Sequence, residues 1–141
     1  MLKLIRARRK NGEKGQALVE FALLFPIFLL LLFAIVDFGM GFYSWITVTN
    51  AAREGARLGV VMATSQQIED RVYQTADLPN ESTRMTVTVT NAQGQPGESV
   101  VVKVDYDYDL ITPLAGIVSF VSGNVLGPTL TLSSTAEMRL E

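Results

Sequence analysis

The chain has 141 residues, a net charge of −2, no cysteine and no histidine. Without these two residue types there is no thiol nucleophile, disulfide or lipidated cysteine, and the usual zinc ligands and the commonest general base are also missing. We therefore expect a structural protein with no cofactor and no metal. An enzyme is not expected, because no nucleophile, base and orienting group can be combined from the remaining residues.

The charge is distributed unevenly along the chain. Residues 1–15 contain six basic side chains and one acid, whereas residues 16–141 have a net charge of −7. No aromatic residue lies among the basic ones and an apolar run follows directly, so this segment indicates membrane topology and not nucleic-acid binding. Basic residues before an apolar run place the N-terminus in the cytoplasm and the later residues outside it.

The apolar run covers the twenty residues 17–36, and Glu20 is its only charged residue. A helix of that length crosses about 30 Å of hydrocarbon. A cleaved secretory signal would have a shorter apolar core followed by small residues, whereas this run ends in Ile35 and Val36. The sequence therefore predicts a single transmembrane helix that stays in the mature protein and contacts the lipid bilayer.

Helical signals continue beyond the apolar run. Ala51, Gly55 and Gly59 recur every four residues, and no proline occurs between Pro26 and Pro79. We predict one long helix from about residue 16 to about residue 62 and a shorter helix near residues 66–76. The row of small residues allows another backbone to approach closely, which serves packing either on a sheet of the same chain or on a helix of another subunit.

After Pro79 the apolar residues alternate with polar ones, which predicts strands near residues 85–90, 102–110 and 130–140. Residues 91–97 form a turn-rich connection, and residues 111–128 form a longer apolar connection in which we expect a short helical turn. The fold class is therefore α+β. A long N-terminal hydrophobic helix carries a small antiparallel sheet of about three strands on its outer half.

Three further groups of charged residues have two interpretations each. Asp37 could pair with a base of a neighbouring subunit, although an interfacial carboxylate with access to water is favoured. Carboxylates of one strand face form either a calcium ladder or a solvated polar face, the second being favoured because the spacing does not fit an EF-hand loop. Arg53 and Arg57 could bind anionic headgroups, but pairing with Glu54 and with the acidic strand face is favoured. The strand carboxylates are Asp105, Asp107 and Asp109.

The sharpest feature is the junction between Gly15 and Gln16, four residues before Glu20. A carboxylate inside an apolar helix needs a partner in lipid. Cutting after Gly15 would create an α-ammonium on Gln16, one helical turn from Glu20. Glu20 could then neutralise the amine of its own chain or of the next subunit in a stack. The alternative is that Glu20 only lies at the bilayer interface, near Lys14.

The segment 15–26, which reads GQALVEFALLFP, resembles the start of TadE-like pseudopilins of the tight-adherence (Flp) pilus system. The segment 50–57, which reads NAAREGAR, resembles the second signature of that family. The resemblance is good over residues 14–61 and extends to the later strands only in outline. Major pilins of this system usually have Tyr after the glutamate and lack a sizeable C-terminal domain, so Phe21 and the long C-terminal part favour a minor subunit.

This resemblance implies a pilin-like fold and three segments. Residues 1–15 would be a cytoplasmic leader removed by a dedicated prepilin peptidase, residues 16–62 the transmembrane and outer helix, and residues 63–141 an extracytoplasmic α+β domain. The implied partners are the peptidase, other pilins and pseudopilins, and the assembly platform of the inner membrane. The implied function is to initiate, anchor or cap an adhesive pilus. A different interpretation is a membrane-tethered adhesin or binding module that never polymerises.

Overall fold

The computed structural model of the protein describes the backbone of residues 2–123 and 129–140 and the side chains of residues 15–123 and 129–140. Contacts divide the chain into two units, one up to Val36 and one from Asp37 onward. The predicted α+β class is confirmed, with three strands in the described ranges. The elements in chain order are α1 (Leu2–Val60), α2 (Ser65–Thr75), α3 (Glu81–Arg84), β1 (Met85–Thr90), β2 (Ser99–Asp109), α4 (Leu114–Val121) and β3 (Thr129–Arg139).

The first unit consists of the first part of α1. The helix begins at Leu2, earlier than the predicted residue 16, because the basic segment contains no proline and is rich in Leu, Lys and Arg, which favour helices. Between Gly15 and Val36 most of the large apolar side chains are exposed, as in Leu18 at 70 % and Leu23 at 71 %, while Leu29, Leu30 and Phe33 are half-buried. Among the described residues, α1 is the one helix that is long and apolar enough to cross a membrane.

In the second unit, α1 buries one face. The buried residues recur at intervals of three, four and seven, which places them on one side of a helix. This stripe consists of Asp37, Ser44, Val48, Ala51, Ala52, Gly55, Ala56 and Gly59. The helix ends at Val60, two residues before the predicted end.

The sheet is an antiparallel meander in the order β1-β2-β3, so β2 is its central strand. The register pairs Val102 of β2 with Val89 of β1 and with Ala136 of β3. Apolar side chains of all three strands therefore share the face that packs into the hydrophobic core with α1 and α2. The buried residues of β2 are Val100, Val102, Val104, Tyr106 and Tyr108.

The connections follow local turn chemistry. Thr64 caps α2 through a capping box, since its hydroxyl accepts from the Gln67 amide and the Gln67 side chain accepts from the Thr64 amide. The predicted turn between β1 and β2 is present, with left-handed backbone at Asn91, Gln93 and Gly97. The helical turn expected in the connection 111–128 is α4, and residues 124–128 lie outside the described residues. The short helix α3 was not predicted.

Candidate functional site

The residues predicted to direct processing and assembly lie within about one turn of α1. Gly15, Gln16 and Glu20 are exposed, and Nε2 of Gln16 donates a hydrogen bond to Oε1 of Glu20 over 3.0 Å. Among the described residues, no other side chain comes within 4 Å of a Cβ placed on Gly15. The Glu20 carboxylate already contacts the residue that would carry a new α-amine.

The row of small residues packs inside the second unit. A Cβ added to Gly55 would lie 2.5 Å from Cγ2 of Val72 in α2, and one added to Gly59 would lie 2.9 Å from Cγ2 of Val100 in β2. Ala51, the first member of the row, is completely buried. The sequence left two packing partners open, a sheet of the same chain and a helix of another subunit. In the structure, the neighbours are α2 and the sheet of the same chain.

Asp37 forms a polar junction that the sequence did not reveal. Its side chain is 2 % exposed, so the interpretation as a carboxylate with access to water is wrong. Oδ1 accepts hydrogen bonds from the backbone amides of Ile111 at 2.8 Å and Thr112 at 3.1 Å, and Oδ2 accepts from the Thr112 hydroxyl. Buried carboxylates are stable only when hydrogen-bonded in this way. The connection that follows β2 therefore supplies the partners, and two of the three are backbone amides with no sequence signature.

Tyr108 adds a second bond at the same place. Its hydroxyl donates to the backbone carbonyl of Asp37 over 3.1 Å. Burial, and next the negative charge of Asp37, raises the pKa of the Tyr108 hydroxyl, so the group stays protonated and remains a donor at neutral pH. Asp37 is therefore bonded through both its side chain and its main chain to the segment 108–112.

The three strand carboxylates face one side of β2, as predicted, and each is paired across the sheet with a hydroxyl of β3. Thr129 donates to Asp109 at 2.6 Å and Thr131 donates to Asp107 at 2.7 Å, while Asp105 lies opposite Ser133. No set of three metal-binding side chains converges within residues 15–123 and 129–140. The arrangement is a ladder of cross-strand hydrogen bonds.

Ion pairs are formed at both ends of this row of carboxylates. Lys103 lies 2.8 Å from Asp105, and Arg84 contacts Asp109. Hydrogen bonds from Lys103 and then Ser133 lower the pKa of Asp105, and those from Thr129 and Arg84 lower the pKa of Asp109. The bases that contact these carboxylates are thus Lys103 and Arg84.

The predicted pairing of the helix arginines is correct only in part. Arg57 lies 3.8 Å from Glu54, but the closer partner of Glu54 is Arg71 of α2 at 2.9 Å. Pairing of Arg53 and Arg57 with the acidic strand face is wrong, because no ion pair within the described residues joins them and the strand carboxylates pair with Lys103 and Arg84. Arg71 was missed because its contact with Glu54 depends on how α2 packs on α1.

The second unit also contains an apolar groove of about 600 Å³, which we call the α1–α4 groove. The available sequence signal was the absence of charge in residues 38–52 and 110–136. This signal does not specify that the two segments lie together. The groove is lined by Asp37, Phe38, Gly41, Phe42, Trp45, Tyr108, Leu110, Leu114, Val118, Leu130 and Leu132.

The profile of the TadE-like protein family matches residues 15–57. This segment is TadE-like. The match confirms the resemblance over the apolar helix and over Ala51 and Gly55 of the small-residue row. It begins at Gly15, the residue before the predicted cut, and includes Glu20. No curated protein and no solved structure shows significant similarity to the chain.

The TadE-like match points to the Tad/Flp pilus system and to association with other components of that pilus. The family is structural rather than catalytic. The exposed apolar helix that contains the matched segment fits a single-pass membrane anchor in such a system. The described residues outside the match, from α2 to β3, form the sheet and its flanking helices.

Proposed function

We propose that this chain is a minor pilin or pseudopilin that helps to initiate, anchor or cap an adhesive Flp-type pilus. A prepilin peptidase would first cut between Gly15 and Gln16 on the cytoplasmic face of the inner membrane. The observation that carries this proposal is the position of the TadE-like match, which starts at Gly15 and contains Glu20 on an exposed apolar helix.

The chemistry of Glu20 supports an assembly role. A carboxylate within a lipid-exposed helix costs free energy, on the order of a few kcal/mol near the bilayer centre and less towards its edge. In the uncut chain the side-chain amide of Gln16 is its partner over 3.0 Å, and this group is neutral. Cutting after Gly15 adds an ammonium to Gln16. A charged pair is the stronger interaction in an apolar surrounding.

The pairing can also join two subunits. When TadE-like helices stack in a bundle, the ammonium of one chain can meet Glu20 of the next, which favours one register between them. The proposed partners are therefore other pilins and pseudopilins, together with the assembly platform of the inner membrane. The sheet of the second unit would lie outside the cytoplasm, in keeping with the basic residues that precede the apolar run.

The experiment is a comparison of Glu20→Gln with Glu137→Gln, an exposed residue of β3 that serves as the matched control. The chain is produced in cells that contain the complete pilus system. Processing is read from the size of the mature band, and incorporation is read from co-purification with the other pilus subunits. Glu20→Gln is expected to be cut normally and to be depleted from the purified complex, whereas Glu137→Gln behaves as the parent does.

A third variant, Gly15→Val, tests the cut itself. The enlarged residue should block the peptidase and leave a precursor that is longer by the leader of residues 1–15. A mature N-terminus at Met1 in the parent chain would refute processing at this site. Normal incorporation of processed Glu20→Gln would refute the assembly role of the carboxylate and would favour a membrane-tethered adhesin that does not polymerise.

A further inference from the structure

The α1–α4 groove and the helix α4 expose an apolar surface that the proposed assembly role does not use. Phe120 and Val121 of α4 are 88 % and 79 % exposed, and Phe42 of α1 is 60 % exposed. The sequence of α4 contains no charged residue, and neither do the flanking residues 110–136. Exposed aromatic and aliphatic residues in an uncharged segment need an apolar neighbour.

Asp37 determines which neighbour this is. It is the first residue after the apolar run 17–36, so it marks the bilayer boundary if that run crosses the membrane. Its carboxylate accepts hydrogen bonds from the amides of Ile111 and Thr112, three and two residues before α4 begins at Leu114. The segment just before α4 is thereby bonded to Asp37.

The depth of the groove residues agrees with this location. At 1.5 Å per residue, Phe42 lies about 8 Å along the helix from Asp37. The headgroup region on each side of a bilayer is about 5–8 Å thick. Phe38 and Phe42 of α1 therefore fall at the level of the headgroups, where aromatic side chains are favoured.

We propose that α4 and the α1–α4 groove form a second membrane-contacting site, which inserts its apolar side chains into the outer leaflet of the bilayer. The occupant of this groove is phospholipid of that leaflet, at the boundary between headgroups and acyl chains, and not a protein. The inference rests on the proposed membrane anchor, because Asp37 marks the boundary only if residues 17–36 span the bilayer. The site would fix the second unit close to the membrane before assembly and would be withdrawn from lipid when a subunit is extracted.

The experiment uses single-cysteine variants of the full chain, which has no cysteine of its own. Val121→Cys tests α4, and Val61→Cys is the matched control, because the two valines are similarly exposed at 79 % and 71 %. Leu31→Cys reports on the anchor. Each variant carries an environment-sensitive fluorophore and is reconstituted at low protein density in vesicles of phosphatidylethanolamine and phosphatidylglycerol. Nitroxide-labelled phospholipids with shallow or deep labels are the quenchers.

The label on residue 121 is expected to lose emission mainly to the shallow nitroxide, because an interfacial helix inserts about 5–10 Å. The label on residue 31 should respond more to the deep nitroxide, and the label on residue 61 should show background quenching alone. If residue 31 is quenched but residue 121 resembles residue 61, the lipid site is wrong while the anchor remains. If neither residue 31 nor residue 121 is quenched, the membrane anchor is wrong as well. If residue 121 instead becomes more shielded as the protein density rises, the occupant is a second copy of the chain and not phospholipid.

Discussion

The packing of Gly55 gives the sharpest test of the fold. Gly55→Ala adds one methyl group whose carbon would lie 2.5 Å from Cγ2 of Val72, whereas carbon atoms in contact prefer about 3.5–4.0 Å. Val72 is completely buried, and its branched side chain has few alternative rotamers. Ile68 and Val102 lie 3.4 and 3.3 Å from the same point, so α2 and the sheet must both yield to the new methyl.

Two opposing contributions decide whether Gly55→Ala raises or lowers the free energy of unfolding. Overpacking of a close-packed core costs about 1–3 kcal/mol. Replacing glycine by alanine inside a helix contributes about 1 kcal/mol in favour of folding. Gly55→Ala should therefore lower the free energy of unfolding by about 0–2 kcal/mol. The matched control is Gly39→Ala in the same helix, where no described side chain lies within 4 Å of the added Cβ. This control should gain about 1 kcal/mol.

The free energies of unfolding of Gly55→Ala and Gly39→Ala should thus differ by about 1–3 kcal/mol. This difference corresponds to about 4–24 °C in Tm for a domain of this size. Thermal unfolding of the full chain in detergent is followed by near-ultraviolet circular dichroism. This signal includes the buried tyrosines Tyr106 and Tyr108 of β2, which lose their fixed surroundings when the sheet unfolds. An increase of Tm in Gly55→Ala equal to that in Gly39→Ala would refute the packing of the row against α2 and the sheet.

Two further predictions concern the polar contacts. Asp37→Ala removes the acceptor of the Ile111 and Thr112 amides. In the same thermal assay the free energy of unfolding should fall by about 1.5–3 kcal/mol, the usual range for a hydrogen bond to a charged group. An unchanged Tm would contradict the polar junction at Asp37. The lowered pKa values of Asp105 and Asp109 stabilise the fold above the unfolded value of about 3.9, and this stability is lost as the pH falls through the folded values. Tm of the parent chain should therefore decline below about pH 5, and Tm of Asp109→Asn should decline less. Equal dependence of Tm on pH in the parent and in Asp109→Asn would contradict the carboxylate pairing.

The sequence by itself determined the features that depend on local patterns. Length and polarity of residues 17–36 are sufficient to predict an apolar helix, because a bilayer-spanning segment is recognised by composition alone. The alternation in residues 102–110 predicts a strand with one buried face, since successive side chains point to opposite sides. The row that starts at Ala51 predicts a close approach of some backbone. In each case neighbouring residues along the chain carry the signal.

The tertiary structure decided which distant groups meet. It selected α2 and the sheet as the neighbours of Gly55, and it gave Glu54 a partner in Arg71 seventeen residues later. The largest correction is Asp37, whose partners are two amides and one hydroxyl more than seventy residues away. A backbone amide is present at almost every residue, so no side-chain pattern can identify those that reach a buried carboxylate. Only the packing of the connection between β2 and α4 beside α1 brings them within hydrogen-bond distance.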